Sequence, residues 1–150
     1  LWLLGSFSPI TLKEEILTDL DKDYIKYMGY LPFKEMYAYM KASDIGILLF
    51  LPEPNHIAAL PNKMFEYMAA GLPVIASNFP LWKEIIEGNN CGICVNPLDA
   101  EEIAKGIEYL IEHPEEAKKM GENGRKAVLE KYNWENESKK LLEVYKRLSG

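Results

Sequence analysis

The segment Pro61-Asn62-Lys63-Met64-Phe65-Glu66-Tyr67-Met68-Ala69-Ala70-Gly71 concentrates the side chains best suited to bind a ligand. Asn62 and Glu66 stand four apart and Lys63 and Glu66 three apart, so on a helix they share one stripe, continued by the small Ala69 and Ala70. The start of such a helix presents unpaired N–H groups and a positive dipole end near Asn62, which suits a phosphate, and Lys63 adds a mobile cation. One turn further in, the Glu66 carboxylate is able to accept two hydrogen bonds from a vicinal diol such as ribose. The same spacing also describes a plain surface ion pair, worth about 0.2–0.5 kcal/mol, with Asn62 as the helix cap. Both readings stay open on spacing alone.

The elements that must position this stripe follow from the alternation of short apolar runs with amphipathic stretches, the pattern of an α/β domain with a parallel sheet. Strands are expected at 1–4, 24–28, 45–51, 73–76 and 91–95, giving about five strands in a Rossmann-like sheet. The third, apolar on both faces, is expected in its middle. Helices are expected from a capping-box-like start at Thr11-Leu12-Lys13-Glu14-Glu15, from Pro32 to about Lys41, from Asn62 to Ala70, and from Leu81 to Glu87. A further helix starts at Asp99 as N-cap, with apolar residues at Ile103, Ile107, Leu110 and Ile111. Helices from Pro114 to about Lys131 and from Trp134 to about Leu148 follow without an intervening strand, forming a C-terminal helical tail whose apolar residues Trp134, Leu142 and Tyr145 are expected in core packing.

At 150 residues with 48% hydrophobic side chains, the chain fits one domain able to bury a core without disulfide or metal staples. It opens on Leu1-Trp2-Leu3-Leu4-Gly5, which reads as a strand entered in its middle, with something preceding it. No apolar run reaches the length of a signal peptide or a membrane span, so a cytoplasmic domain with no direct membrane insertion is expected. A net charge of −6 argues against an electrostatic grip on nucleic acid or anionic lipid.

In an open parallel sheet, ligands bind beyond the carboxyl ends of the strands. The loops Gly5-Ser6-Phe7-Ser8, Gly29-Tyr30-Leu31-Pro32 and 52–61 are therefore the informative ones. His56 lies in the third and is a candidate cleft residue. His113, before Pro114, reads as a partner for a helix C-terminus. Cys91 and Cys94 form a C-x-x-C on a strand, where alternate positions face opposite sides and no further cysteine completes a zinc site, so they read as small buried apolar residues. Asn136-Glu137-Ser138 matches a glycosylation sequon but lies inside an expected helix and reads as chance.

Phe65-Glu66-Tyr67-Met68-Ala69-Ala70-Gly71-Leu72-Pro73-Val74-Ile75-Ala76-Ser77 resembles the Glu-Ala-Met-Ala-x-Gly-x-Pro-Val-Ile block of glycosyltransferase family 4, the retaining enzymes of the GT-B fold. Leu3-Leu4-Gly5, Tyr27-Met28-Gly29-Tyr30, Ala42-Ser43-Asp44-Ile45 and the stretch from Cys91 to Asp99 are similar to the family's flanking strands and loops. The resemblance implies the C-terminal, nucleotide-sugar donor-binding half of a GT-B fold. In it Glu66 is the second glutamate of a glutamate, seven residues, glutamate motif and holds the donor ribose. The helix start at Leu60, Pro61, Asn62 and Lys63 faces the diphosphate, Gly29-Tyr30-Leu31 lies near the base, and Gly5 and Ser6 belong to the first donor loop.

The resemblance further implies transfer of a sugar from a nucleoside diphosphate to an acceptor hydroxyl with retention, without metal or cofactor, in polysaccharide or glycoconjugate biosynthesis. The full-length enzyme would be cytoplasmic or peripheral at the membrane. The motif's first glutamate falls at Ala58, and Glu53 lies five positions too early, so Asn62 and Lys63 are expected to take over part of its work. The first strand of the donor domain and the whole N-terminal acceptor domain would lie before Leu1, so the fragment is expected to be inactive, and no catalytic residue is assigned. The second reading is a non-catalytic nucleotide or nucleotide-sugar binding module. A signalling receiver would need acids where Gly5-Ser6 and Leu51-Pro52 stand, and an epimerase matches 61–77 less specifically.

Overall fold

The structure, a computed structural model, describes residues 1–8, 11–19 and 23–148, and divides into two compact units, residues 1–39 and residues 40 onward. Among the described residues it holds five strands, all paired in parallel, and eight helices. The hydrogen-bonded ladders form one sheet of two strands and one of three.

In the first unit, β1 (Trp2–Leu4) pairs with β2 (Lys26–Gly29), with Leu3 opposite Tyr27 and a register shift between Leu3 and Leu4. Helix α1 (Thr11–Asp19) connects them, and α2 (Phe33–Lys41) follows and runs across the boundary between the units. The side chain of Thr11, with which the expected capping box begins, lies outside the described residues, and Glu14, three residues on, is exposed. Strand β2 starts two residues later than expected because Tyr24 sits in an exposed turn.

In the second unit, β3 (Gly46–Leu48), β4 (Val74–Ser77) and β5 (Gly92–Val95) are ordered β3-β4-β5. Within this three-stranded ladder β4 is the middle strand. Its side chains alternate between two cores as a strand requires: Val74 and Ala76 join one cluster with Met64, Met68, Trp82 and Ile86, and Ile75 joins the other with Val95, Leu110 and Ala117. A strand buried on both faces is expected to be apolar or to have its polar groups bonded, and β4, buried throughout, is apolar at Val74, Ile75 and Ala76 and ends on the hydrogen-bonded Ser77. Strand β3 is shorter than its seven-residue apolar run because the Ser77 hydroxyl takes over beyond Leu48. It accepts from the Phe50 N–H (2.8 Å) and donates to the Phe50 carbonyl (3.0 Å).

The remaining helices are α3 (Pro54–Ile57), α4 (Asn62–Ala70), α5 (Pro80–Ile86), α6 (Ala100–Glu112), α7 (Pro114–Glu130) and α8 (Trp134–Leu148). Asp99 caps α6 as expected, its carboxylate accepting from the N–H groups of Glu101 and Glu102. His113 closes α6, with its Nδ1 against the Tyr109 carbonyl at 2.8 Å. The residues that α7 buries fully are all small, Ala117, Gly121, Gly124 and Ala127, with Met120 and Val128 packed half-buried beside them. A Cβ on Gly121 would stand 2.0 Å from the Gly71 carbonyl oxygen, so the glycine is what lets α7 reach the end of α4.

Two features depart from the sequence reading. Residues 54–57, expected as loop, form the short α3, started by Pro54 at its first position. Helix α8 buries none of its residues: Trp134, Leu141, Leu142, Tyr145 and Leu148 are exposed rather than packed in a core. The sequon lies within α8, and its Asn136 side chain donates to the Glu130 carbonyl at 2.8 Å, closing α7. Among the described residues no helix is long and apolar enough to cross a membrane.

Candidate functional site

Helix α4 has the bounds its punctuation predicts. Pro61 stands at the N-cap, the interior of Met, Phe, Glu, Tyr and Ala carries no β-branched residue, and Gly71 ends it in the left-handed region at φ 81°. The Gly71 N–H donates to the Met68 carbonyl and the Leu72 N–H to the Tyr67 carbonyl, both at 3.0 Å. Met64 and Met68 are fully buried, and the Tyr67 ring lies flat enough on β3 that a Cβ on Gly46 would come within 2.6 Å of it. These contacts fix which face is left over.

That face carries Asn62, Lys63, Glu66 and Ala69, all exposed or half-buried. Ala70, expected to extend the stripe, instead points into the core, because a hundred degrees per residue carries it past the open face. Asn62 is not the cap: Pro61 is, and it provides no side-chain acceptor. The Met64 N–H turns back to the Pro61 carbonyl (3.1 Å), leaving the amides before it directed out of the helix end. The Lys63 Nζ donates to the Glu66 Oε2 at 2.7 Å, with the two side chains 42% and 31% exposed. An ion pair this open contributes only a few tenths of a kcal/mol, roughly 0.2–0.5, so a ligand that displaces or joins it meets little resistance.

The segment leading into α4 is held from below. Phe50, gripped by Ser77, sets its ring edge-on to His56 (4.9 Å) and to Trp82 (5.4 Å), and Phe79 meets Trp82 from the other side at 4.9 Å. The Trp82 indole N–H donates to the Ala59 carbonyl at 2.7 Å, two residues before Pro61. His56 lies on α3 with its Nδ1 3.0 Å from the Leu51 carbonyl, so its ring is occupied by local packing. Ala58 closes α3, and Glu53 is its N-cap without a side-chain bond. Leu60 is exposed.

In the first unit, the expected donor loops are tight turns. Gly5 and Gly29 adopt φ of 130° and 70°, which residues with a Cβ rarely do, and the Gly5 N–H donates to the Gly29 carbonyl at 2.8 Å. The Tyr27 hydroxyl donates to the Gly5 carbonyl at 2.9 Å. Ser6 and Tyr30 are exposed and Leu31 is half-buried.

Sequence reasoning missed Ser77 and Trp82. A buried indole requires an acceptor for its N–H, so a Trp on an otherwise apolar helix face was the available signal. The cysteines are free and buried, as expected, though both side chains join the same core cluster. Cys91 precedes β5 and so escapes the strand's alternation. Burial pushes the Cys91 thiol up to about 11, and burial, with the Glu87 carboxylate second, pushes Cys94 up to about 12.

Comparison with known proteins fits this arrangement. The chain is 31% identical over 122 residues to an uncharacterised glycosyltransferase of Methanocaldococcus jannaschii, covering 81% of this chain and 30% of that protein. It is 24% identical over 149 residues to an MMP α-(1→4)-mannosyltransferase of Mycolicibacterium hassiacum, covering 98% of this chain and 35% of the relative. The chain thus spans about a third of the length of these relatives. Among solved structures, Anabaena HepE, crystallised in complex with UDP, superposes with a TM-score of 0.83 at 19% identity, over 97% of this chain and 40% of that one, which establishes a shared α/β fold. The family described as glycosyl transferases group 1 matches residues 8–127, most of the sequence and all of α4, and to that family the chain belongs.

Proposed function

We propose that α4 is the donor site of a retaining, metal-independent glycosyltransferase of family 4, and that the chain is its C-terminal, nucleotide-sugar-binding part. The observation that carries this is the pairing of two features on one open helix face. A helix end without a side-chain cap, beginning at Asn62, lies one turn from the Glu66 carboxylate, whose Oε2 accepts from Lys63 on the same open face. In this reading the amides and Lys63 hold the diphosphate, and Glu66 accepts from the ribose hydroxyls. The bond from the anomeric carbon to the diphosphate oxygen breaks as one forms to the acceptor hydroxyl oxygen, whose proton passes to the departing diphosphate, and the helix end and Lys63 stabilise the charge developing on that diphosphate. The UDP bound by HepE is a ligand of the chemistry this reading calls for. The loops at Gly5-Ser6 and Gly29-Tyr30-Leu31 are proposed donor contacts on the family resemblance alone.

Calorimetric titration of the chain with uridine, guanosine and adenosine diphosphates tests the reading. One of them is expected to bind, and Glu66→Ala to weaken it about 10- to 100-fold, the value of hydrogen bonds to a charged acceptor. A ligand affinity indifferent to Glu66→Ala removes the ribose role. Ala58 in place of the motif's first glutamate favours, as second reading, a module that binds without transferring; donor turnover by the full-length protein separates the two.

A further inference from the structure

Helix α4 is anchored along its length and at its end by Tyr67 on Gly46 and by Gly71 on Gly121, both packing contacts within the folded body. Its beginning has a different kind of anchor. Residues 51–60 are mostly exposed, and α3 within them buries nothing, so packing alone does not define the path by which the chain arrives at Pro61. The Trp82 side chain supplies what is missing. It is fully buried between Phe50 and Phe79, and it spends its single polar group on the Ala59 carbonyl at 2.7 Å. Phe50 is itself fixed by the double hydrogen bond from Ser77, so the indole is held in place from the sheet. Only Leu60 separates Ala59 from Pro61, whose ring restricts φ, here −70°. The direction set at Ala59 is therefore passed to the amides of the first turn of α4.

We infer that Trp82 is a positioning residue for the donor site: through its bond to Ala59 it sets the amide end of α4, with Lys63 and Glu66, in the orientation that receives the diphosphate and ribose. This rests on the reading of α4 as that site. Such a residue touches no ligand and acts by removing alternative arrangements before binding.

The test replaces Trp82 in the chain with β-(3-benzothienyl)alanine, which keeps the bicyclic shape and exchanges the N–H for sulfur, and compares it with Trp82→Phe. Three quantities are read: the thermal midpoint, amide hydrogen exchange over 59–63, and the affinity for the diphosphate that the unmodified chain binds best. The isostere is expected to keep the midpoint, to speed exchange at 59–63 but not in β4 or β5, and to weaken the diphosphate roughly five- to tenfold. Trp82→Phe is expected to do the same with a lowered midpoint. Unchanged affinity and exchange in the isostere overturn the positioning role; if Glu66→Ala still weakens binding in the same series, the donor-site reading stands without it. A chain that binds none of the three diphosphates overturns both.

Discussion

Glu66 and Lys63 illustrate how little a single ion pair says about function. Their 2.7 Å bond is what either a surface pair or a ligand-ready stripe would show, and the distinguishing fact lies beside it, in the helix end without a side-chain cap. The sequence made the spacing legible but not the fate of Ala70 or the identity of the cap, because both depend on where the helix turns its buried face. Cys91 and Cys94 were legible in the opposite sense, as a motif without its chemistry. With both thiols held above their ordinary value of 9.0 by burial, iodoacetamide at pH 8.5 is expected to leave the folded chain unlabelled and to label both in denaturant. The same shifts give a signed pH dependence. The unfolded thiols release protons near pH 9 and the folded ones only near 11 and 12, so their contribution to stability is complete below about pH 9 and is lost as pH rises from there. Urea midpoints should therefore fall more steeply above pH 9 in the parent than in a Cys91→Ala, Cys94→Ala variant.

At the scale of elements, the helices bracketed by proline and glycine were readable to the residue, as α4 shows. What failed were elements whose limits are set by distant groups. Strand β3 stops where the Ser77 hydroxyl, 27 residues on, replaces its ladder, and no local pattern announces that. Helix α3 is too short for periodicity to detect, and only Pro54 marks it. The α4–α7 contact was equally hidden, since it depends on glycines acting through their lack of a side chain rather than through turn chemistry. Two substitutions separate these roles. Gly121→Ala places its methyl 2.0 Å from a backbone oxygen that cannot yield, and should destabilise by about 3 kcal/mol or more. Gly106→Ala, in the middle of α6, meets side-chain methyls rather than backbone, Ile75 Cδ1 and Val95 Cγ1, each at 3.3 Å. There the gain in helix propensity, about 1 kcal/mol, offsets the crowding, and thermal melts should place it within about 1 kcal/mol of the parent.

Across the whole molecule, burial is unevenly shared. Every residue buried among those described lies at Met40 or beyond, and the strands of the first unit reach only partial burial. A segment of this size with no fully buried residue among those described is marginal, whereas β4 is enclosed on both faces. Native-state hydrogen exchange should show it, with ladder amides of Lys26–Met28 exchanging on the order of 100-fold faster than those of Val74–Ala76. Composition announced a core of adequate size but not its address, because apolar residues are spread along the chain and only the contacts decide which are enclosed.

Helix α7 gives this architecture a lopsided tolerance to change. It closes over the sheet by withholding volume, so at Gly121 and Gly124 there is nothing to trim and almost nowhere to grow. Diversity along that face is confined to the smallest side chains, while the outward face of the same helix is at liberty to drift.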